Sequence, residues 1–132
     1  MTILKRVLLI DDNRDFAALL EVFLKNDRNW QFISAFSGRE GIAKAKVKQP
    51  DVILLDIAMP ELDGLEVYRI LKSRSITAQI PIIFISAIAQ TREIVDREFS
   101  PDVQVILKPL NIFELPDYMN KACDRSKICQ KT

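Results

Sequence analysis

Apolar runs and helical stripes take turns along this chain, five of each. Strand-like segments read at residues 5–10, 31–36, 51–55, 81–85 and 103–107. Val7-Leu8-Leu9-Ile10, Val52-Ile53-Leu54-Leu55 and Ile82-Ile83-Phe84-Ile85 are apolar without a break. A strand covered on one face alternates, so an unbroken run predicts a parallel strand covered on both. Phe32-Ile33-Ser34-Ala35-Phe36 is more mixed and predicts an edge strand. Between the strands, Phe16, Leu19, Leu20 and Phe23 recur at i, i+3, i+4 and i+7, one face of a helix. Ser37-Gly38-Arg39-Glu40 reads as a capping box opening the second helix. Val67, Ile70 and Leu71 stripe the third, Thr91 caps a short fourth, and Asn111 caps a fifth. Pro116 is unwelcome inside a helix, which predicts an irregular first turn there. Strand–helix alternation of this kind builds a parallel sheet by right-handed crossovers, with helices on both faces.

Four of the strand-like runs end in residues with useful chemistry. The first ends in Asp11-Asp12, the third in Asp56, the fourth in Ser86 and the fifth in Lys108-Pro109. Parallel strands bring these ends to one edge of the sheet, where open α/β folds place their sites. Three carboxylates that close repel one another, and a hard divalent cation such as Mg²⁺ relieves the repulsion with oxygen ligands. Asp56 can then attack phosphorus, while the Lys108 ammonium and the Ser86 hydroxyl partner phosphoryl oxygens. Taken singly, each residue has a plain structural explanation. Asp11-Asp12 could cap a helix, Asp56 could be a solvated strand-end acid, Ser86 a structural hydroxyl, and Lys108-Pro109 a turn. Asp63-Gly64 reads as a turn without chemistry. The joint arrangement is what singles out a site for phosphoryl transfer onto a carboxylate.

Composition narrows the field further. The 132 residues fit one domain, 48% are apolar, and 19 basic residues against 18 acidic ones leave a net charge of +1. That balance offers no footprint for nucleic acid. The basic residues near the end (Lys121, Arg125, Lys127, Lys131) are dispersed, as on a solvated helix and tail. No run approaches the ~20 apolar residues of a membrane span, and Lys5-Arg6 precedes too short an apolar stretch for a secretory signal. With no histidine, the chain can build no Ser-His or Cys-His pair and carry no phosphohistidine. Cys123 and Cys129 lack partners at metal-ligand spacing and read as free thiols.

Leu9-Ile10-Asp11-Asp12, Asp56-x-x-Met59-Pro60-x-x-Asp63-Gly64, Ser86-Ala87 and Lys108-Pro109, in this order, span almost the whole chain. In them the chain resembles the receiver domain of bacterial two-component response regulators. The resemblance implies an α/β fold of flavodoxin-like, doubly wound type, a five-stranded parallel sheet in the order 2-1-3-4-5. It implies a stand-alone, cytoplasmic receiver over residues 1–124 with a short tail, 125–132. Asp56 would accept a phosphoryl group from a phosphohistidine on a sensor histidine kinase or histidine phosphotransfer protein, and slowly lose it by hydrolysis. Mg²⁺ would be held by Asp12 directly, by Asp11 largely through water, by Asp56, and by the backbone carbonyl of Ala58. Lys108 would contact the phosphoryl group across a cis Lys–Pro bond, and Ser86 would be the hydroxyl switch. Output would be contact with a downstream protein through the fourth helix, fifth strand and fifth helix. Ile112, Phe113 and Tyr118 are candidates there, with Phe113 assigned to the core.

Some positions depart from the family pattern. Val105 stands where the family often has an aromatic whose rotamer follows the hydroxyl switch, and a valine has no ring to swing. Ser100-Pro101-Asp102 replaces the usual Gly-Ala before the fifth strand. Ala58 and Ile88 occupy positions that tune the lifetime of the aspartyl phosphate in the family. The same residues speak against other phosphate-handling folds. A flavodoxin-like phosphate loop would not begin with two aspartates, and a dinucleotide site needs clustered glycines, of which this chain has three, all apart. A haloacid-dehalogenase-type phosphatase carries a general acid two residues after its nucleophile, where Ala58 stands here. The alternative left open is a phosphorylation-independent receiver-like interaction module.

Overall fold

The computed structural model describes residues 4–130, with side chains described as far as Arg125. Five strands alternate with five helices: β1 (Lys5–Ile10), α1 (Arg14–Lys25), β2 (Trp30–Ala35), α2 (Gly38–Lys48), β3 (Val52–Leu55), α3 (Gly64–Ser73), β4 (Ile82–Ser86), α4 (Thr91–Glu98), β5 (Gln104–Leu107) and α5 (Leu115–Gln130). All neighbouring strands are parallel, and the sheet order is β2-β1-β3-β4-β5, as the family pattern predicts.

The unbroken apolar runs are explained by two cores, one on each face. Successive strand residues point to opposite sides. Val7, Leu9, Val52, Leu54, Ile83 and Ile85 face α1 and α5, meeting Ala17, Leu20, Leu24, Leu115 and Met119. Leu8, Ile10, Ile53, Leu55, Ile82 and Phe84 face the other way, toward Ala45 of α2, Val67 and Leu71 of α3, and Val95 of α4. Burying one such side chain contributes about 1.5–3 kcal/mol. The outer strand β5 is only half-buried, and its Leu107 is exposed.

Several local expectations shift. In α1 the buried face is Ala17, Leu20 and Leu24, while Leu19 points to solvent. In α2 Ser37 does cap, accepting the Glu40 N–H, but the Glu40 carboxylate turns to the Phe36 N–H at 2.6 Å instead of closing the box. The reciprocal capping box belongs to α3, between Asp63 and Glu66. Thr91 does not cap α4. Gln90 is the N-cap without a side-chain bond, and Thr91 is the first helical residue, with its hydroxyl turned inward. Asn111 caps a 3-10 turn, Ile112–Glu114, which leads into α5 and leaves Pro116 in its first turn, where a missing N–H costs nothing. Phe113 is not core. It is 77% exposed and stands edge-to-face with the Phe23 ring, 5.5 Å between centres, because the 3-10 turn carries it outward. Ile112 and Tyr118 are the half-buried pair. Cys123 is buried and not disulfide-bonded, and the Cys129 side chain lies outside the described residues.

Candidate functional site

Backbone pairing continues past the strand ends and seats the site residues. The Asp11 N–H donates to the Ala35 carbonyl at 3.0 Å, Asp56 N–H to Ile10 at 3.0 Å, and Lys108 N–H to Ser86 at 2.8 Å. Each functional side chain therefore leaves from backbone already held by a neighbouring strand. Asp11 and Ser86 are fully buried, Asp56 nearly so, and Asp12 is exposed.

Charge is arranged before any ligand arrives. Asp11 Oδ2 accepts from Lys108 Nζ at 2.8 Å, a pair joined across 97 positions of sequence. Its other oxygen, Oδ1, accepts the Asn13 N–H at 2.9 Å. The Lys108 ammonium also lies 4.5 Å from the centre of the Phe16 ring, a cation–π contact that limits its swing. Asp56 is pushed from 3.8 up to about 6, first by burial and then by the negative charge of Asp11, against a smaller opposing pull from Lys108.

Carboxylate oxygens of Asp11, Asp12 and Asp56 all lie within 4.8 Å of one another, the one such cluster among the described residues. An all-oxygen set, crowded and short of positive charge, fits a hard divalent cation. The hydroxyl side differs. Ser86 Oγ accepts the Ile88 N–H at 3.0 Å and lies 2.8 Å from Thr91 Oγ1, so it is engaged away from the carboxylates. Lys108–Pro109 is cis.

Four residues near the site were not singled out as functional by sequence. Asn13 and Phe16 hold Asp11 and Lys108, and Thr91 holds Ser86. Gly64 matters because a Cβ there would sit 2.2 Å from the Asp56 carbonyl oxygen and 2.7 Å from Ile57 Cα. Its N–H donates to the Ile57 carbonyl at 2.9 Å, which lets α3 begin against the loop that carries Asp56. The Asp63-Gly64 pair was legible, and its meaning was not.

The response regulator receiver domain family model matches residues 7–131. The chain belongs to that family. A protein-glutamate methylesterase/protein-glutamine glutaminase of Methanosarcina barkeri is 34% identical over 132 residues, covering 96% of this chain and 35% of that protein. The alkaline phosphatase synthesis transcriptional regulatory protein PhoP of Bacillus subtilis is 34% identical over 83 residues, covering 63% of this chain and 33% of its own length. The receiver thus spans about a third of each of these curated relatives. Among solved structures, the receiver domain of the Francisella response regulator 1452 superposes with a TM-score of 0.79 at 28% identity, covering 92% of this chain and 98% of that one. The Vibrio cholerae chemotaxis protein CheY4 has a TM-score of 0.80 at 22% identity over 91% of this chain and 99% of that one, a likeness of fold. The receiver has a phosphoacceptor role in two-component signalling. No described helix is long and apolar enough to cross a membrane.

Proposed function

We infer that Asp56 is the phosphoacceptor, and that its phosphoryl group comes from a phosphohistidine on a sensor histidine kinase or a histidine phosphotransfer protein. The observation that carries this reading is the meeting of three carboxylates at one sheet edge, with a lysine already ion-paired to one of them. The donor brings the histidine that this chain lacks.

In the transfer an Asp56 carboxylate oxygen attacks phosphorus. An O–P bond forms, the P–N bond to the donor imidazole breaks, and its electron pair returns to the imidazole nitrogen. Lys108 Nζ, a short reach away on Asp11, donates to one phosphoryl oxygen, and the Ser86 hydroxyl donates to another. Asp11, Asp12 and Asp56, with the Ala58 carbonyl, would hold Mg²⁺, which when bound offsets their repulsion and polarises phosphoryl oxygens. Loss of the group is the attack of water on phosphorus, which breaks the same O–P bond, releases inorganic phosphate and restores the carboxylate. By family analogy, Ala58, which is exposed, and Ile88, which is half-buried, govern that water's access. Phosphorylation shifts a population between two conformations of the α4-β5-α5 face, and a downstream protein reads the change.

The test is intact-mass measurement after incubation with Mg²⁺ and acetyl phosphate. One added phosphoryl group is expected, absent when the metal is chelated and absent in Asp56→Asn. An adduct of equal yield in Asp56→Asn overturns the assignment. No adduct in either protein, with no binding of beryllium fluoride, favours the phosphorylation-independent interaction module.

A further inference from the structure

We propose that Thr91 is a positioning residue that holds the Ser86 hydroxyl in a resting orientation, so that Ser86 reaches the phosphoryl group only by releasing the first turn of α4. This rests on the reading of Asp56 as phosphoacceptor and Ser86 as a phosphoryl partner.

Thr91 Oγ1 lies 2.7 Å from the Ile88 carbonyl oxygen, which can only accept, and 2.8 Å from Ser86 Oγ. The Ile88 carbonyl already accepts the Thr91 N–H at 3.1 Å, but two oxygens 2.7 Å apart need a proton between them. The single Thr91 hydroxyl proton therefore also serves Ile88, and the Thr91 oxygen is left to accept from Ser86. Ser86 Oγ in turn accepts the Ile88 N–H at 3.0 Å. Ser86 and Thr91 are both fully buried, so water does not stand in for either partner. One Ser86 proton has two claimants, Thr91 at rest and a phosphoryl oxygen after transfer. It cannot serve both.

The placement of Thr91 gives this contest a readout. It is the first residue of α4, and the N-cap residue Gln90 makes no side-chain bond of its own there. The inner side of α4 meets an aromatic group instead of a single mobile ring. Phe99, just past its end, lies 4.2 Å from Tyr68 and 6.1 Å from Phe84, ring centre to ring centre. Val105 is paired in register with Phe84 and Leu107 with Ser86, so β5 sets no ring beside the switch. In this receiver the hydroxyl switch reaches α4 through another hydroxyl.

The experiment compares the full chain with Thr91→Val, which keeps shape and loses the oxygen, and Thr91→Ser, which keeps the oxygen. Two readouts are taken. In metal-free protein, amide exchange at Ile88 reports Ser86, because that N–H loses its acceptor when Ser86 turns away. In protein with Mg²⁺, beryllium fluoride binding reports the phosphoryl-like state. Losing one neutral hydrogen bond from the resting state predicts Ile88 exchange about fivefold faster and beryllium fluoride binding about fivefold tighter in Thr91→Val. Thr91→Ser should restore both, and Thr91→Val should change neither in a Ser86→Ala background. A merely structural role would lower the melting temperature of Thr91→Val without tightening beryllium fluoride, and that result overturns the proposal. So does an equal effect in the Ser86→Ala background. If the parent protein takes up no phosphoryl group at Asp56, the reading beneath it fails instead, and the mass measurement shows that separately.

Discussion

The two sides of Asp56 are built from different materials. On the β1/β5 side, Asp11 and Lys108 are ion-paired before any donor arrives, with the exposed Asp12 carboxylate beside them. On the β4 side, Ser86 and Thr91 make a neutral, fully buried pair whose hydrogen bond is spent internally. Charge developing on a phosphoryl group is best met by groups that need not reorganise, which suits the first side to chemistry. A neutral hydroxyl that must choose between two partners of similar worth suits the second to switching, since such a choice turns on about 1 kcal/mol. On the proposed reading, the first side accelerates transfer and the second reports it.

Breaking the charged side should have the largest effect. Lys108→Ala is expected to slow phosphorylation by acetyl phosphate by about 10²–10³-fold, the usual loss for one preorganised donor to a developing oxyanion. Ser86→Ala should cost only about fivefold in the same rate, and a loss as large as that of Lys108→Ala would erase the distinction. Gly64→Ala comes next. Its methyl would collide with the Asp56 carbonyl, so the expectation is a loss of about 1–3 kcal/mol of stability in denaturant titrations, with slowed phosphorylation as the loop shifts.

The charge crowding has its own signature in pH. A carboxyl whose folded value is raised from 3.8 to about 6 binds its proton more tightly in the folded state than in the unfolded chain. The contribution of Asp56 to the stability of the metal-free protein therefore falls as pH rises from about 4 to 6 and stays at the lower level above that. Asp56→Asn should melt several degrees higher than the parent at pH 8 without metal, and the difference should vanish near pH 4. Mg²⁺ should raise the parent's melting temperature at pH 8 and leave Asp56→Asn much less affected. The smallest effect belongs to Phe16. Phe16→Leu removes the ring beneath Lys108, worth about 0.5–1 kcal/mol, and should slow phosphorylation two- to fivefold, leaving Thr91-dependent exchange at Ile88 unchanged.

Much of this molecule is local pattern. Unbroken apolar runs can be satisfied only by strands covered on both faces, and parallel strands must deliver Asp11, Asp56, Ser86 and Lys108 to one edge. The layers, the sheet and the gathering of these residues at one edge were therefore legible in the amino-acid sequence by itself. What tertiary structure decided is who holds whom. Lys108 rests on Asp11 and over Phe16 because β5 and β1 end at the same edge with β3 and β4 between them. Leu19 faces solvent, where periodicity would have buried it, because helix rotation follows from packing against a particular strand face, and Phe113, which size would have buried, is carried out by its 3-10 turn. Gly64 is demanded by a backbone approach that no spacing announces. Thr91 reads as a helix cap in sequence, yet its hydroxyl turns inward to Ser86. A cap is chosen among neighbours a few residues away, whereas a buried hydroxyl takes whichever polar partner the fold brings within reach.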